Sequence, residues 1–475
     1  MVFSSLMFLF LFLPIVLGLY YISNDKLRNI ILLIASLFFY AWGEPVYVFL
    51  MIFSIVVDYG LGLKVEEFIE RRERKKAFRV VILSASINLF ILCFFKYSDF
   101  LVSNINNLFN LDIALLNLPL PIGISFYTFQ TMSYTIDIYR GDAKAQKSIL
   151  DFGTYVTLFP QLVAGPIVRY QTVANQINKR THSAEQFADG VNRFVCGMAK
   201  KVILSNQLAI VADGVFSSNV AGISVSEAWL GIICYTLQIY FDFGGYSDMA
   251  IGLGKMFGFN FLENFNYPYI SQTVSEFWRR WHISLGTWFK DYVYIPLGGN
   301  RVSNAKVYRN LFVVWFLTGM WHGASWTFII WGLYYGMFIA LEKAFLDRWL
   351  SKVPRILRHI YLLAIVMVGW VFFRVDDITQ SFEFLKVMFG LTPNAIFGNS
   401  FTVYLIDYWY IILASIILST PVVTKFKTVI IGFNENILNN DITYLLHGVI
   451  LGIYMFVVMI MLCSSSYNPF LYFRF

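Results

Sequence analysis

Long apolar runs, separated by short polar segments, recur along the whole chain. A membrane-spanning α-helix needs about 20 mostly apolar residues, and eleven runs approach that length. They predict membrane spans at residues 6–22, 30–42, 46–63, 80–96, 121–139, 226–243, 308–321, 325–342, 360–375, 402–420 and 444–463. This pattern is typical of an all-α, polytopic membrane protein.

Positive charge predicts the orientation of the spans, because Lys and Arg concentrate in cytoplasmic loops. Residues 64–79 hold seven Lys and Arg, whereas residues 97–120 hold none, so the first segment is predicted inside and the second outside. The basic stretch 140–201 is predicted to form cytoplasmic loops and interfacial helices. Eleven spans would leave the basic segment 343–358 outside. A twelfth crossing at Val202–Phe216 corrects this, and it predicts both termini to be extracytoplasmic.

Composition supports a protein embedded in a lipid bilayer. Of the 475 residues, 58% are hydrophobic and 14% are charged, whereas soluble domains carry about 25% charged residues. A soluble enzyme, a secreted module and a disordered regulator are therefore excluded. The net charge of +7 fits basic cytoplasmic loops, and no basic-aromatic module predicts nucleic-acid binding. Without internal repeats or a long linker, residues 1–475 are predicted to form a single integral membrane domain.

Three of the apolar runs contain a predicted interruption of the helix. The interrupting residues are Pro121–Gly123, the Gly244–Gly245 pair and the stretch from Gly319 to Gly323. Irregular backbone at membrane depth is tolerated only where protein or a water-filled cavity surrounds it. We therefore expect the helices, some of them re-entrant or interfacial, to surround a polar cavity.

The most unusual segment, residues 267–301, combines aromatic and basic side chains with a histidine. Helical spacing would put Trp278, Trp281 and His282 on one face, with two arginines to the side. An amphipathic interfacial helix with an aromatic belt explains most of this composition. It does not explain the histidine, nor the Pro-Leu-Gly-Gly-Asn turn that follows. The candidate site residues from this region are Asn266, Arg279, Arg280, Trp281 and His282.

A second histidine, His322, lies in an apolar run beside Trp321 and between two glycines. An ionisable side chain within a span is costly and is by default a candidate for function. A neutral histidine can act as a general base near physiological pH. A hydrogen bond between helices explains His322 equally well, so both interpretations stay open.

Other polar residues in membrane-like sequence have weaker claims. Gln238, Asp242 and Asp248 flank the Gly244–Gly245 pair, where they would line a cavity or cap broken helices. Capping is the simpler interpretation for any one of them. The cysteines and histidines do not show the spacing of a metal site, so no metal is predicted.

Seven ordered motifs along nearly the whole chain resemble one family. They are Met1–Ser5, Leu120–Phe129, Phe159–Tyr170, Tyr240–Gly252, Glu276–Arg301, Trp321–Gly323 and Val371–Val375. This set resembles the membrane-bound O-acyltransferase (MBOAT) family, and within it the bacterial branch that acts in alginate and peptidoglycan O-acetylation. The resemblance implies a ring of helices around a central funnel or tunnel.

The resemblance also implies the site and the reaction. The essential histidine of the family falls on His322, and its second polar position falls on His282. Acetyl-CoA is the implied donor substrate, with no bound cofactor. The acetyl group would cross a bacterial inner or plasma membrane, and an SGNH-like extracytoplasmic acetyltransferase of the AlgJ, AlgX or PatB type would esterify a polysaccharide. In this picture His322 takes a proton, and His282 orients the donor carbonyl or stabilises the oxyanion.

The segment 470–475 resembles an aromatic C-terminal motif of related acyl-transfer systems, in which a tyrosine is a proposed acyl carrier. That motif occurs on the acyltransferase or on a small membrane subunit, and here it makes Tyr472 the candidate carrier. On composition alone the segment is an interfacial aromatic anchor.

Three alternatives remain open from the sequence. The same fold could use a phosphopantetheine carrier protein as donor, as in D-alanylation of teichoic acids. A transporter that moves an intact acyl donor would also fit intramembrane polar groups and broken helices. A scaffold for the extracytoplasmic acetyltransferase is the third, but it gives His322 and His282 no task.

Overall fold

The predicted spans coincide with helices in the structure, a computed structural model that describes residues 1–162, 165–423, 440–464 (backbone only for 440–447) and 467–469. Within these residues all regular secondary structure is helical, and no strand is present. The helices are α1 Leu13–Ile22, α2 Asp25–Ala41, α3 Val48–Glu70, α4 Arg74–Phe109, α5 Ile124–Arg140, α6 Ile149–Thr157, α7 Phe159–Leu162, α8 Tyr170–Asn178, α9 Ala184–Ala199, α10 Asn206–Phe216, α11 Val225–Met256, α12 Val274–Arg280, α13 Ile283–Phe289, α14 Asn304–His322, α15 Trp326–Leu341, α16 Asp347–Leu350, α17 Arg355–Arg374, α18 Ile378–Met388, α19 Asn399–Leu418 and α20 Asn440–Ser464.

Six helices of the described chain are long and apolar enough to cross a membrane. They are Val48–Glu70, Arg74–Phe109, Ala184–Phe216, Trp326–Leu350, Arg355–Arg374 and Asn399–Leu418, and the apolar helices Phe8–Ile22 and Gly448–Ser464 are shorter. The protein is therefore a multi-pass membrane protein. The count of twelve crossings stays a prediction.

The described residues group into two compact units. One comprises Met1–Phe194 and Tyr246–Leu262, and the other comprises Val195–Gly245 with the described residues from Glu263 onward. Two of the three boundaries fall inside α9 and α11, and the third lies in the segment between α11 and α12. The single-domain organisation stays a prediction.

In the first unit, a buried polar network lies where α3, α4 and α5 pack together. Asp58 of α3 accepts hydrogen bonds from Ser84 Oγ at 2.6 Å and from Asn88 Nδ2 at 2.8 Å. Thr131 of α5 donates to Asn88 Oδ1 at 3.0 Å. Buried polar groups are costly unless they are hydrogen-bonded, and this network meets that requirement.

The Gly244–Gly245 pair does not break its helix, and that prediction is wrong. Helix α11 continues through it, and Gly245 serves helix packing. A Cβ at Gly245 would lie 2.8 Å from the carbonyl oxygen of Gly197. Small residues let helix backbones approach closely in membrane proteins. The other two interruptions are present, since Gly123 precedes α5 with φ +76° and α14 ends just before Gly323.

The stretch 140–201 contains buried helices where loops and interfacial helices were expected, and its cytoplasmic location stays a prediction. Residues 152–162, covering most of α6 and α7, are buried. Helix α9 continues through a π-helical turn, Lys200–Ser205, into α10, so the predicted crossing at Val202–Phe216 is the second half of a longer helix. The burial of α6 was not evident from the sequence, because its buried residues include Gly153, Thr154 and Thr157, which lower the hydropathy of the segment.

Candidate active site

His282 lies in a break between two short helices of the second unit. Helix α12 ends at Arg280, Trp281 is extended, and His282 adopts a left-handed conformation with φ +46° before α13 begins. The prediction that Trp278, Trp281 and His282 share one helical face is therefore wrong. A left-handed backbone is uncommon for residues other than glycine, and it turns the chain between the two helices.

Asn264 holds this break from a distant part of the sequence. Its side-chain Oδ1 lies 3.2 Å from His282 Nδ1 and accepts hydrogen bonds from the backbone N–H and hydroxyl of Ser284, at 3.2 and 2.9 Å. Its backbone carbonyl accepts from the N–H of Ile283 at 3.0 Å. The first N–H groups of a helix have no partner within the helix, and here Asn264 satisfies two of them.

Burial keeps the His282 ring neutral. Desolvation lowers the pKa of His282 to about 3, whereas an unperturbed histidine has a pKa near 6.5. Phe243 packs perpendicular to the ring, with centroids 4.7 Å apart. At neutral pH, His282 is therefore an uncharged hydrogen-bonding group.

This pKa predicts an acid-sensitive contribution to stability. Between pH 6.5 and 3 the unfolded chain binds a proton at this histidine that the folded chain does not, so folding stability falls as pH falls through that range and is flat above it. We expect thermal melts in detergent to show a smaller loss of melting temperature between pH 7 and 4.5 for His282→Gln than for the wild type. Parallel melting curves over this range would contradict the neutral ring.

His322, the last residue of α14, is buried in an aromatic cage. Its ring packs against Trp331 with centroids 4.7 Å apart, and against Phe373 at 5.3 Å. Its neighbour Trp321 is perpendicular to it at 4.9 Å. Helix α14 is held against α15 by two facing glycines, since a Cβ at Gly332 would overlap the backbone of Trp315 and Gly319. Close packing of these two helices therefore positions His322.

Trp321 brings the two histidines to one place. The centroid of its ring lies 4.9 Å from the His322 ring centroid and 5.9 Å from the His282 ring centroid. The Trp321 and His322 rings are nearly perpendicular. Residues far apart in the sequence thus meet at one indole ring, within the second unit. This arrangement places two imidazoles around a single apolar wall.

A cavity of about 700 Å³ opens beside His282, which is a typical size for a small-molecule site. His282 and Trp278 line it together with Arg279, Lys290 and Lys343. The three cations are exposed, whereas His282 is buried. His322 and Trp321 are not among the lining residues. The cavity thus joins a charged, accessible mouth to one of the two histidines.

The remaining candidates of the aromatic-basic segment have structural contacts. Arg280 pairs with Glu276 at 3.0 Å, and its Nη1 donates to the backbone carbonyl of Asn266. Asn266 is exposed, so its side chain is not in the buried site. Trp281 is buried in an aromatic cluster and packs on Phe277 and Trp370.

The polar candidates of α11 are divided between the two units. Asp242 forms a buried ion pair with Lys201 at 2.6 Å in the second unit, and Gln238 is buried there. Asp248 pairs with Arg193 at 2.8 Å in the first unit. Neither carboxylate caps a broken helix, because α11 is continuous. Tyr472 lies outside the described residues.

Sequence reasoning missed Asn264 and Lys201. The sequence pattern favours Asn266, two residues after Asn264, although both stand in the same Asn-Phe-Asn stretch. Lys201 is the last residue of the stretch 140–201, whose charge predicts a basic loop. The available signal was its position at the start of an apolar run, where a buried lysine needs a carboxylate partner.

Comparison with known proteins identifies the relatives of this chain. A sequence profile of the membrane-bound O-acyltransferase family matches residues 140–374. A Pseudomonas aeruginosa protein named a probable alginate O-acetylase, AlgI, is 47% identical over 394 residues, which cover 82% of this chain and 75% of that protein. A Helicobacter pylori peptidoglycan O-acetyltransferase is 36% identical over 426 residues, covering 82% and 80%. A Bacillus subtilis teichoic acid D-alanyltransferase is 28% identical over 245 residues, covering 49% and 60%.

Together, the helical fold, the paired histidines and these relatives define a class, the multi-pass membrane acyltransferases. The chain belongs to the membrane-bound O-acyltransferase family. The resemblance inferred from the sequence motifs is thereby confirmed, as is the enzymatic class.

Proposed function

We propose that the protein takes an acetyl group from a cytoplasmic thioester, acetyl-CoA, and delivers it across the membrane for O-acetylation of an extracytoplasmic polysaccharide. The observation that carries this proposal is the pair of buried histidines around Trp321. The names of the alginate and peptidoglycan O-acetylating relatives support the acetyl group and the polysaccharide. The teichoic acid relative matches less of the chain at lower identity, so acetyl is favoured over D-alanyl.

The cavity beside His282 suits the donor. Its exposed cations, Arg279, Lys290 and Lys343, stand where the phosphates of coenzyme A would be held by charge. The buried wall at His282 would then receive the pantetheine arm and its thioester. Two carboxylates, Glu342 and Asp347, also line the cavity. The Glu342 carboxylate already accepts hydrogen bonds from the backbone N–H groups of Val274 and Ser275, and these contacts offset part of its negative charge.

In the chemical step, His322 acts as the general base. A phenol with a pKa near 10 needs a base to attack a thioester at neutral pH. In the proposed step the Tyr472 hydroxyl oxygen bonds to the acetyl carbon and its proton passes to His322. The carbon–sulfur bond breaks, and the departing thiolate takes a proton to leave coenzyme A. A second transfer moves the acetyl group from the phenyl ester to the acceptor.

The described residues just before the C-terminal motif, 467–469, are held by hydrogen bonds. Tyr467 donates a hydrogen bond to Asp213, and Lys201 donates to the backbone carbonyl of Pro469. Asn206 Nδ2 donates to Asn468 Oδ1 at 3.1 Å. These contacts form a polar latch, Tyr467–Pro469, on the helical segment from Lys201 to Asp213.

The topology and partners complete the proposal. The basic segments 64–79 and 343–358 face the cytoplasm, and both termini are extracytoplasmic. The membrane is a bacterial inner or plasma membrane, and an SGNH-like acetyltransferase of the AlgJ, AlgX or PatB type receives the acetyl group outside. A small membrane subunit or carrier protein is a further candidate partner.

Removing the cavity cations tests the donor. We expect Lys290→Ala/Lys343→Ala to raise the KM for acetyl-CoA by about tenfold, because two exposed ion pairs at about 0.2–1 kcal/mol each together approach the ~1.4 kcal/mol of a tenfold change in affinity. The KM for acetyl-pantetheine, which lacks the nucleotide phosphates, should be unchanged. Initial rates with both donors, in detergent at two salt concentrations, provide the measurement.

The matched control is Lys352→Ala, an exposed lysine in the turn after α16. It should leave both KM values unchanged. An equal KM for acetyl-CoA in the double variant and the wild type would remove this cavity as the donor site. Faster transfer from an acyl carrier protein than from acetyl-CoA would favour the D-alanylation type of donor instead.

A further inference from the structure

Asn264 is a buried polar residue for which neither the motif resemblance nor the proposed mechanism provides a role. It is 1% exposed, and one side-chain oxygen meets three groups of the following helix: His282 Nδ1, the Ser284 N–H and the Ser284 hydroxyl. Its amide nitrogen is buried without an acceptor among the described residues. An unmet buried donor is costly. Among the described residues, all side-chain hydrogen bonds of Asn264 are therefore made by its oxygen, and they have to outweigh that cost.

These contacts fix which way the amide points. Oxygen and nitrogen of an asparagine amide are told apart by the hydrogen-bond network. A backbone N–H can only donate, so the atom 3.2 Å from the Ser284 nitrogen is the oxygen. The same oxygen faces His282 Nδ1 at 3.2 Å, and an amide oxygen can only accept. The proton of the neutral imidazole is therefore on Nδ1, and Nε2 carries the lone pair.

The backbone at His282 supports a positioning role. His282 holds a left-handed φ of +46° and is the residue that precedes α13, but its side chain does not cap the helix. Strained backbone of this kind persists only where surrounding contacts determine it. Asn264 supplies those contacts by bonding the first two N–H groups of α13. One residue thus holds both, since the Asn264 carbonyl bonds the backbone next to His282 and the Asn264 side chain contacts the ring.

We propose that Asn264 is a positioning residue that fixes the Nδ1–H tautomer of His282, so that His282 meets substrate as a hydrogen-bond acceptor. A neutral ring in this tautomer cannot donate to the acyl oxygen, and this assigns oxyanion stabilisation to another group. The substrate groups that His282 would bind are N–H or O–H donors, such as the amides of a pantetheine arm. The link to transfer rests on the proposed function, but the tautomer is a property of the folded chain.

The test is ¹⁵N NMR of the histidine rings in the full-length protein, reconstituted in nanodiscs without donor. Subtracting the spectrum of His282→Gln assigns the His282 signals. We expect the wild type to show a protonated Nδ1 and an unprotonated Nε2. Asn264→Ala should give a mixture of tautomers, whereas Asn264→Asp should keep the wild-type tautomer because a carboxylate oxygen accepts the same bonds.

Acetyl transfer gives the second readout. Loss of the outer-shell partner of a metal-ligating histidine costs about 10- to 100-fold, and by analogy we expect Asn264→Ala to lose activity in that range. Ser284→Ala, which removes one Asn264 contact without touching His282, should stay near the wild type. A wild-type spectrum with the proton on Nε2 would overturn the proposal, even if Asn264→Ala fails to fold. So would an unchanged tautomer in Asn264→Ala. Failure of acetyl-CoA as donor, with the expected spectrum, would count against the proposed function alone.

Discussion

Replacing His322 with alanine should lower acetyl transfer by about a hundred- to ten-thousand-fold, the contribution typical of a positioned general base. His322 is 6% exposed and is enclosed by Trp321, Trp331 and Phe373. Bulk water therefore has little access to replace the missing base. Labelled acetyl transfer by purified protein in proteoliposomes measures the effect.

The control for this experiment is His359→Ala, a half-buried histidine near the start of α17. It should keep full activity. Size-exclusion profiles of both variants should match the wild type, since alanine is compatible with the end of a helix. Acetyl transfer at the wild-type rate by a folded His322→Ala variant would contradict the general-base assignment and favour a transporter of intact donor.

Replacing Lys201 with methionine should destabilise the protein by about 3–5 kcal/mol, because it leaves Asp242 as a buried charge without its cation. The Lys201 and Asp242 side chains are 2% and 3% exposed, and the two charged groups lie 2.6 Å apart. The double variant Lys201→Met/Asp242→Leu should recover most of the loss, since an apolar pair of similar volume replaces the ion pair. Thermal melts in detergent compare the three proteins.

The pair Arg193 and Asp248 offers the matched control. The charged groups of this pair lie a similar 2.8 Å apart, but the two side chains are 25% and 17% exposed. Arg193→Met should therefore lower the free energy of unfolding far less than Lys201→Met does. Equal melting temperatures for Lys201→Met and the wild type would contradict the buried pair. Lys201 also holds Pro469. If acetyl transfer requires the Tyr467–Pro469 latch, Lys201→Met/Asp242→Leu should be stable but should transfer acetyl groups slowly.

The helices could be predicted because their signals are local, and the same kind of signal draws attention to the two histidines. An apolar run of about 20 residues determines a membrane helix by itself, and every predicted span overlaps a helix of the structure. His322 and His282 stand out because ionisable groups are rare in such sequence. These predictions needed no knowledge of which helices touch.

The errors arose where distant residues decide the structure. The pattern from Trp278 to His282 has helical spacing, but the helix breaks there because Asn264, 18 residues before His282, bonds the start of α13. Gly245 suggested a kink, whereas it allows close contact with the backbone of Gly197. Lys201 and Asp242 are 41 positions apart, which no local pattern pairs. Tertiary contacts override local propensity in all three cases.

The measurement that tests the central claim most directly is mass spectrometry of the C-terminal peptide after incubation with isotopically labelled acetyl-CoA. Wild type and His359→Ala should carry labelled acetyl on Tyr472, and His322→Ala should carry none. Equal labelling of His322→Ala and the wild type would contradict the role of His322. Unlabelled Tyr472 in wild-type protein that still transfers acetyl groups would contradict the ester intermediate.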